Sequence, residues 1–221
     1  VRVSSSIRLT GADDFRVSHT ASYTIIGDGS ITVDNTVSTS DPEINLARMG
    51  VRMLLNRGLD QVDYLARGPM ENYSDRKRGS DIGRYTSSVA EQLTPYAKPM
   101  ECGNHEDMRW VSLKGNGGPT LLIQAAGEPM QFSALPYSDE DLEPVPYSVD
   151  LPKSNKTVLC ISSKTLGVGS AGCGPRPDPQ YRVKAGPAAF SYVLRILPKD
   201  ETRVAEIART RPPEGRPHPV L

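Results

Sequence analysis

The segment ARGPMENYSDRKRG at residues 66–79 is the stretch that decides how this chain folds. Its fourteen residues include three turn formers, two acids and four cations, which is more polar chemistry than a buried strand carries. The segment follows an apolar run at 61–65 that predicts a strand, so we interpret it as a structured polar loop. A second polar block, PMECGNHEDMRW at residues 99–110, leads into another predicted strand.

Outside these blocks the sequence is typical of short antiparallel strands. Apolar and polar side chains alternate through most of residues 1–37, and a period of two indicates strands with one wet face. Gly and Asp at 11–14 and 27–29 supply tight reversals, which predicts an antiparallel meander. A strand pair interrupted by Gly50 is predicted at 46–55. Further strands are predicted at 61–65, 108–114, 121–125, 131–134, 156–162, 180–184 and 190–197.

The fold class that this pattern predicts is all-β, a large antiparallel sandwich. The 19 Gly and 19 Pro among 221 residues suit many short strands joined by turns. One short helix is predicted at 138–142, with Ser138 as its cap. We predict one domain over residues 1–198 and a proline-rich C-terminal tail over 199–221, which has little to bury.

Composition argues against several classes of function. Lys plus Arg and Asp plus Glu number 26 each, so no net charge favours nucleic acids or membranes, and we expect neither partner. No apolar run approaches the ~20 residues that span a bilayer, so we expect a soluble chain, cytoplasmic or periplasmic. The three cysteines lack C-x-x-C spacing and are predicted to be reduced or buried thiols. The start at Val1, directly in a strand, suggests an excised piece of something longer.

The two polar blocks resemble signatures of one family, the C-terminal small-chain domain of family 2 β-galactosidases. Residues 67–76 are similar to its R-G-P-x-E-N-Y-x-D-R motif, and residues 99–110 are similar to P-Q-E-N-G-N-x-x-D-x-R-W. A third match in the same order, at residues 132–143, is similar to F-S-A-x-P-Y-S followed by D-L-E. The resemblance implies a many-stranded antiparallel super-sandwich similar to that of galactose mutarotase.

The resemblance also implies a role without catalysis. In such enzymes the catalytic glutamates belong to a separate TIM barrel upstream, and no part of this chain resembles that barrel. We therefore predict that the fragment is inactive alone, holds no cofactor or metal, and completes the rim of a galactoside pocket. Its expected partners are the upstream barrel and sandwich domains of a parent that hydrolyses terminal β-galactosides and can be a homo-oligomer.

The polar residues of the two blocks admit two interpretations. Arginine forks and an asparagine amide match the vicinal hydroxyls of a sugar, but the acids can equally pair with the cations inside a self-satisfied loop. Val158 is added because the resemblance aligns it with an aromatic sugar platform of some family members. The candidate carbohydrate-binding residues are Arg67, Glu71, Asn72, Arg76, Glu101, Asn104, His105, Arg109 and Val158.

Two alternative functions stay open at this point. A free-standing carbohydrate-binding module would bind sugar without any barrel. In a mutarotase-like epimerase, the resemblance to mutarotases implies that two histidines and a glutamate perform general acid and base catalysis. This chain has only His19, His105 and His218, and His218 lies in the proline-rich tail. Residues 167–172 match G-x-G-x-x-G, but three prolines within residues 173–179 prevent the helix that a dinucleotide site needs.

Overall fold

A computed structural model describes residues 1–169 and 175–210 of the chain. No helix in this part of the chain is long and apolar enough to cross a bilayer. Two short helices, α1 (Asp139–Leu142) and α2 (Val204–Ile207), accompany the strands. The strands are β1 (Arg2–Thr10), β2 (Arg16–Ile25), β3 (Ile31–Thr39), β4 (Asn45–Leu46), β5 (Arg48–Asn56), β6 (Gln61–Gly68), β7 (Asp81–Ser88), β8 (His105–Met108), β9 (Trp110–Lys114), β10 (Thr120–Ala126), β11 (Met130–Leu135), β12 (Lys156–Thr165), β13 (Val183–Lys184) and β14 (Ala188–Leu197).

The strands form two packed sheets of unequal size. The larger sheet has eight strands in the order β1-β2-β3-β14-β10-β9-β6-β7, and the smaller has four in the order β5-β12-β11-β8. All of their pairings are antiparallel, and β4 and β13 form a separate short pair. The first three strands are the predicted meander. The prediction of an all-β antiparallel sandwich is therefore confirmed.

The hydrophobic core lies between the two sheets. Leu113 and Ile123 enter it from the large sheet and Phe132 and Ile161 from the small one, and all four are fully buried. Successive side chains of a strand point to opposite faces, so every second residue reaches this core. The small sheet has half as many strands as the large one, and β1 at the edge of the large sheet is exposed along its whole length.

Three strand predictions differ from the structure. Gly50 lies within β5 and does not interrupt it; a Cβ there would come 2.3 Å from the carbonyl oxygen of Ile161, so glycine permits close approach of β12. The predicted strand at 108–114 is divided at Arg109, two residues after Asp107, whose φ is 57°. The strand predicted at 180–184 shortens to β13 because a 3₁₀ turn occupies 179–181.

Both helices bear on earlier predictions. The helix predicted at 138–142 is confirmed as α1, where the backbone N–H and the hydroxyl of Ser138 donate to the carboxylate of Asp141 at 2.8 and 2.9 Å. Helix α2 lies inside the predicted tail and packs against Trp110 and Leu122 on the outer face of the large sheet. Residues 204–208 are thus attached to the sandwich, and the boundary at 198 stays a prediction.

The cysteines agree with their predicted role where the structure describes them. Cys102 and Cys160 are buried free thiols. Burial raises the pKa of Cys102 to about 12, which keeps it protonated and unreactive near neutral pH. Cys173 lies outside the described residues.

Candidate functional site

Asn72 joins the two polar blocks and is completely buried. Its backbone N–H donates to the carbonyl of Asn104 at 2.7 Å, and the Asn104 amide donates back to the carbonyl of Asn72 at 2.9 Å. The Asn72 side-chain amide donates to the carbonyls of Met70 and Arg67, while its oxygen accepts the N–H of Glu106 at 2.8 Å. Every hydrogen-bonding group of this side chain is therefore used inside the protein.

Glu71 is the centre of a second group of hydrogen bonds. One carboxylate oxygen accepts from Arg76 at 2.5 Å and from the hydroxyl of Tyr96. The other oxygen accepts from the hydroxyl of Thr94 and the backbone N–H of Gly103, both at 2.7 Å. The Glu71 side chain is only 7% exposed, so these donors replace the water that a buried carboxylate loses.

Arg67 is held by groups of the protein on both sides. Its Nε donates to the carboxylate of Asp107, and its Nη1 donates to the carbonyl of Ser80 at 2.7 Å. Arg109 donates to the backbone carbonyl of Asp107, and Lys77 lies 3.9 Å from the Asp107 carboxylate. Asp107, whose backbone is in the left-handed region, thus contacts three cations of the two blocks.

Glu101 links the second block to strand β5. Both of its carboxylate oxygens lie 2.8 Å from Nη2 of Arg48, and the hydroxyl of Tyr73 donates to it at 3.1 Å. Burial raises the pKa of Glu101, and the nearby Arg48 partly opposes that rise. Burial also raises the pKa of Tyr73 well above its ordinary value, so Tyr73 acts here as a hydrogen-bond donor.

His105, in the second block, points into the protein and is 1% exposed. Its Nδ1 is 2.8 Å from the carbonyl of Arg67, and its Nε2 is 2.6 Å from the side-chain amide of Gln92. The ring stacks on Phe132 with centroids 5.0 Å apart and contacts the ring of Tyr64. Burial lowers the pKa of His105 to about 4. A mutarotase-like mechanism would require this ring in a cleft beside a carboxylate, whereas its two nitrogens lie against a backbone carbonyl and the Gln92 amide.

Val158 lies apart from that network, on the outward face of the small sheet. It is 3% exposed and lines a shallow pit together with Arg48, Arg52, Glu101 and Tyr137. Arg52 makes two hydrogen bonds of 2.9 Å to the carboxylate of Glu140. These bonds lower the pKa of Glu140 to about 2. The pit therefore combines an aliphatic floor with charged side chains that remain partly exposed at its edge.

Asp75 is an acid of the first block that the self-satisfied interpretation paired with the arginines of its own loop, and the structure shows it in contact with a distant loop. Its carboxylate accepts the backbone N–H groups of Val168 and Gly169, at 3.1 and 2.6 Å. A Cβ at Gly167 would lie 2.5 Å from the same carboxylate, so glycine is needed for this contact. The described part of the 167–172 glycine motif thus binds an acid of the first block.

The structure places the candidate residues of the two blocks in two adjacent hydrogen-bonded groups, one around Asn72 and one around Glu71 and Glu101. Of these candidates, Glu101 also lines the pit with Val158. Among residues 1–169 and 175–210, no group of three or more His, Cys, Asp or Glu side chains is arranged to hold a metal ion. The carbohydrate-binding role of these residues stays a prediction.

Comparison with known proteins gives the relationship that the motifs suggest. A family model described as "Beta galactosidase small chain" matches residues 2–196. The chain belongs to the β-galactosidase small-chain family. The β-galactosidase of Priestia megaterium is similar to this small chain, with 32% identity over 173 residues, which are 78% of this chain. A β-galactosidase of Arthrobacter sp. is 33% identical over 153 residues, or 67% of this chain.

This small chain corresponds to a minor part of those relatives. It spans 16% of the length of the Priestia megaterium protein and 15% of the Arthrobacter protein. Among solved structures, a GalM/aldose epimerase homologue from C. elegans is similar over 88% of this chain and 65% of its own length, with a TM-score of 0.41 and 10% identity. We infer nothing about function from that distant similarity.

Proposed function

We propose that this chain is an accessory domain of a larger β-galactosidase, and that it supports hydrolysis of terminal β-galactosides without performing it. The observation that carries the proposal is the internal pairing of the polar blocks. Glu71, Glu101 and Asp107 each accept hydrogen bonds from cations of the same domain. A retaining or inverting glycosidase instead needs two carboxyls that face the scissile bond, one of them ready to give up a proton.

The blocks are proposed to fix the geometry of one end of the sandwich. Asn72 links the first block to the second by hydrogen bonds, and Glu71 links the first block to residues 94–96. Asp75 hydrogen-bonds to the loop at 167–169. Each link joins segments that are far apart in sequence and have little apolar surface to bury. A rigid end of this kind can present a shaped surface to a neighbouring domain.

The pit around Val158 is the proposed contribution to the galactoside rim. Its edge keeps Arg52 and Tyr137 partly accessible, and a guanidinium group hydrogen-bonds sugar hydroxyls. The Tyr137 hydroxyl donates to the carbonyl of Pro152 at 2.8 Å, which leaves its oxygen to accept from a sugar hydroxyl. Valine offers no aromatic ring for stacking against a sugar, so the contribution to affinity is expected to be small.

The first experiment is calorimetric titration of the isolated chain with galactose and lactose, at millimolar concentrations, together with a hydrolysis assay on a nitrophenyl galactoside. We expect neither heat nor hydrolysis. Saturable heat that disappears in Arg67→Ala or Arg109→Ala would identify a free-standing carbohydrate-binding module and refute the accessory role.

The second experiment tests the positive half of the proposal. The Priestia megaterium enzyme is expressed without the 173-residue region that matches this chain, and the chain is supplied separately. Hydrolysis should increase when the chain is added. Arg52→Ala should then raise KM more than it lowers kcat, whereas Arg84→Ala should change neither. Arg84 is a matched control because it is also a partly exposed, acid-paired arginine, but its partner is Asp63 on the large sheet.

A further inference from the structure

Strand β1 carries a one-sided apolar surface that is uncovered. Val3, Ile7 and Leu9 point to one side, together with the small Ser5, and are 51%, 47% and 59% exposed. The alternate residues on the other side are Arg2, Ser4, Ser6, Arg8 and Thr10. A strand that separates its side chains in this way is patterned to bury one face.

The apolar side of β1 is continuous with the core face of the large sheet. Val3 pairs with Tyr23, Tyr23 with Val33, and Val33 with Tyr192, and directly paired residues share a face. Along this row Tyr192 is 5% and Val33 is 2% exposed, whereas Val3 at the end of the row is half exposed. The same face therefore leaves the core and emerges uncovered at β1.

The free edge of β1 is also unprotected. Within the described residues, β1 pairs only with β2, and it stands at the end of the eight-strand order. Natural edge strands are usually short, or carry charged side chains, proline or a bulge. β1 is nine residues long, contains no proline, and pairs with β2 in unbroken register, and its two charged residues, Arg2 and Arg8, lie on its polar side. Such an edge is suited to accept another strand.

We infer that this apolar face and this edge form the docking site for a segment of the larger β-galactosidase polypeptide, outside these 221 residues, which adds a strand to the edge of β1. The inference rests on the proposed accessory role and names the surface that docks. The chain corresponds to only 16% of the length of its Priestia megaterium relative, so a large amount of polypeptide is available to supply the segment.

A second copy of this chain would cover this surface less completely than such a segment. Antiparallel pairing of two β1 edges places the two large sheets side by side with the same face up. The apolar rows of Val3, Ile7 and Leu9 from both copies would then lie next to each other and stay uncovered. A segment that hydrogen-bonds to the edge and also folds over the face buries both features together.

The test measures binding of the separately supplied chain to the Priestia megaterium enzyme that lacks the matching region. Ile7→Lys places a charge under the docked segment and should weaken binding at least about tenfold. The matched control is Ser6→Lys on the polar side of the same strand, which should keep binding within about threefold of the unmodified chain. Amides of β1 that do not pair with β2 should become protected from hydrogen exchange in the complex. Circular dichroism should show that both variants stay folded, since Ile7 is half exposed.

Each alternative outcome has a separate meaning. If both lysine variants bind like the unmodified chain, the docking site lies elsewhere and the inference fails, although the accessory role stands. If both variants lose binding equally, the apolar face is not the determinant and the inference again fails. If the unmodified chain itself does not bind, the accessory role fails with it. Self-association that Ile7→Lys abolishes, without binding to the larger enzyme, would assign the surface to a second copy.

Discussion

Acidification should destabilise this domain through one buried ring, that of His105. The ring is 1% exposed, stacks on Phe132, and lies with both nitrogens close to groups of the protein. Burial lowers its pKa to about 4, whereas a histidine in an unfolded chain titrates near 6.5. The folded ring therefore stays neutral over a range in which the unfolded ring is charged.

The sign and the size of the effect follow from proton linkage. Between about pH 6.5 and about pH 4 the unfolded chain binds one proton more than the folded chain, so stability falls as the pH falls. The difference between the two pKa values, at about 1.4 kcal/mol for each pH unit, gives a total loss of about 3 kcal/mol. About 2 kcal/mol of this loss should be visible between about pH 7 and about pH 4.5.

The assay is urea unfolding across this pH range, compared between the unmodified chain and His105→Gln. The comparison is necessary because burial raises the pKa of Glu101 and Glu106, and those groups oppose the loss as they take up protons. They are present in both proteins and cancel in the difference. The variant should be less stable at neutral pH, and the gap should narrow by about 2 kcal/mol near pH 4.5. A gap that stays constant, or an NMR titration that places the ring pKa above about 6, would refute the reasoning.

Three other predictions concern stability and share the same unfolding assay. Glu71→Gln should lower the free energy of unfolding by about 3 kcal/mol, because the new NH2 group would face hydrogen-bond donors where the carboxylate oxygen accepted. A loss below about 0.5 kcal/mol would show that water can replace these hydrogen bonds. Gly50→Ala should cost at least about 2 kcal/mol, since its Cβ would come 2.3 Å from the carbonyl oxygen of Ile161, and an unchanged midpoint would contradict that contact. Asp75→Asn should speed hydrogen exchange at Gly169 and cost about 1 to 2 kcal/mol, while equal exchange in both proteins would mean that the carboxylate does not hold the loop.

The strands that the sequence predicts well are those whose apolar and polar side chains alternate, or which form a continuous apolar run. Residues 1–37 alternate cleanly and form β1 to β3, and the apolar runs at 121–125 and 131–134 lie within β10 and β11. Strand β7, at the other edge of the same sheet, has no such signal, because its large apolar residues Ile82 and Tyr85 are three positions apart and do not alternate with polar ones, and it is not predicted. Periodicity detects the alternation of apolar and polar side chains, so a strand without that alternation is invisible to it.

The candidate site shows a different limit. Resemblance to a family located both polar blocks, but the partners of their side chains could not be inferred from spacing. Glu71 pairs with Thr94 and Gly103, and Glu101 pairs with Arg48, which lies 53 positions earlier in the chain. Such pairs depend on which loops the sandwich brings to the same end. Sequence alone left open whether the polar residues bind a ligand or pair with other residues of the protein. The contacts favour pairing within the protein.

The distribution of exposure decides where a ligand can be sought on this domain. A carboxylate such as Glu71, 7% exposed and accepting from several donors, would have to break protein hydrogen bonds before it could bind a sugar, and each broken bond costs about 1 kcal/mol or more. Arg52 and Glu140 are 41% and 66% exposed, and water already competes for their pairing, so a hydroxyl can replace that water at little cost. Substitutions in the polar blocks should therefore change stability first. Substitutions at the edge of the pit should change interactions with a ligand while leaving the fold intact.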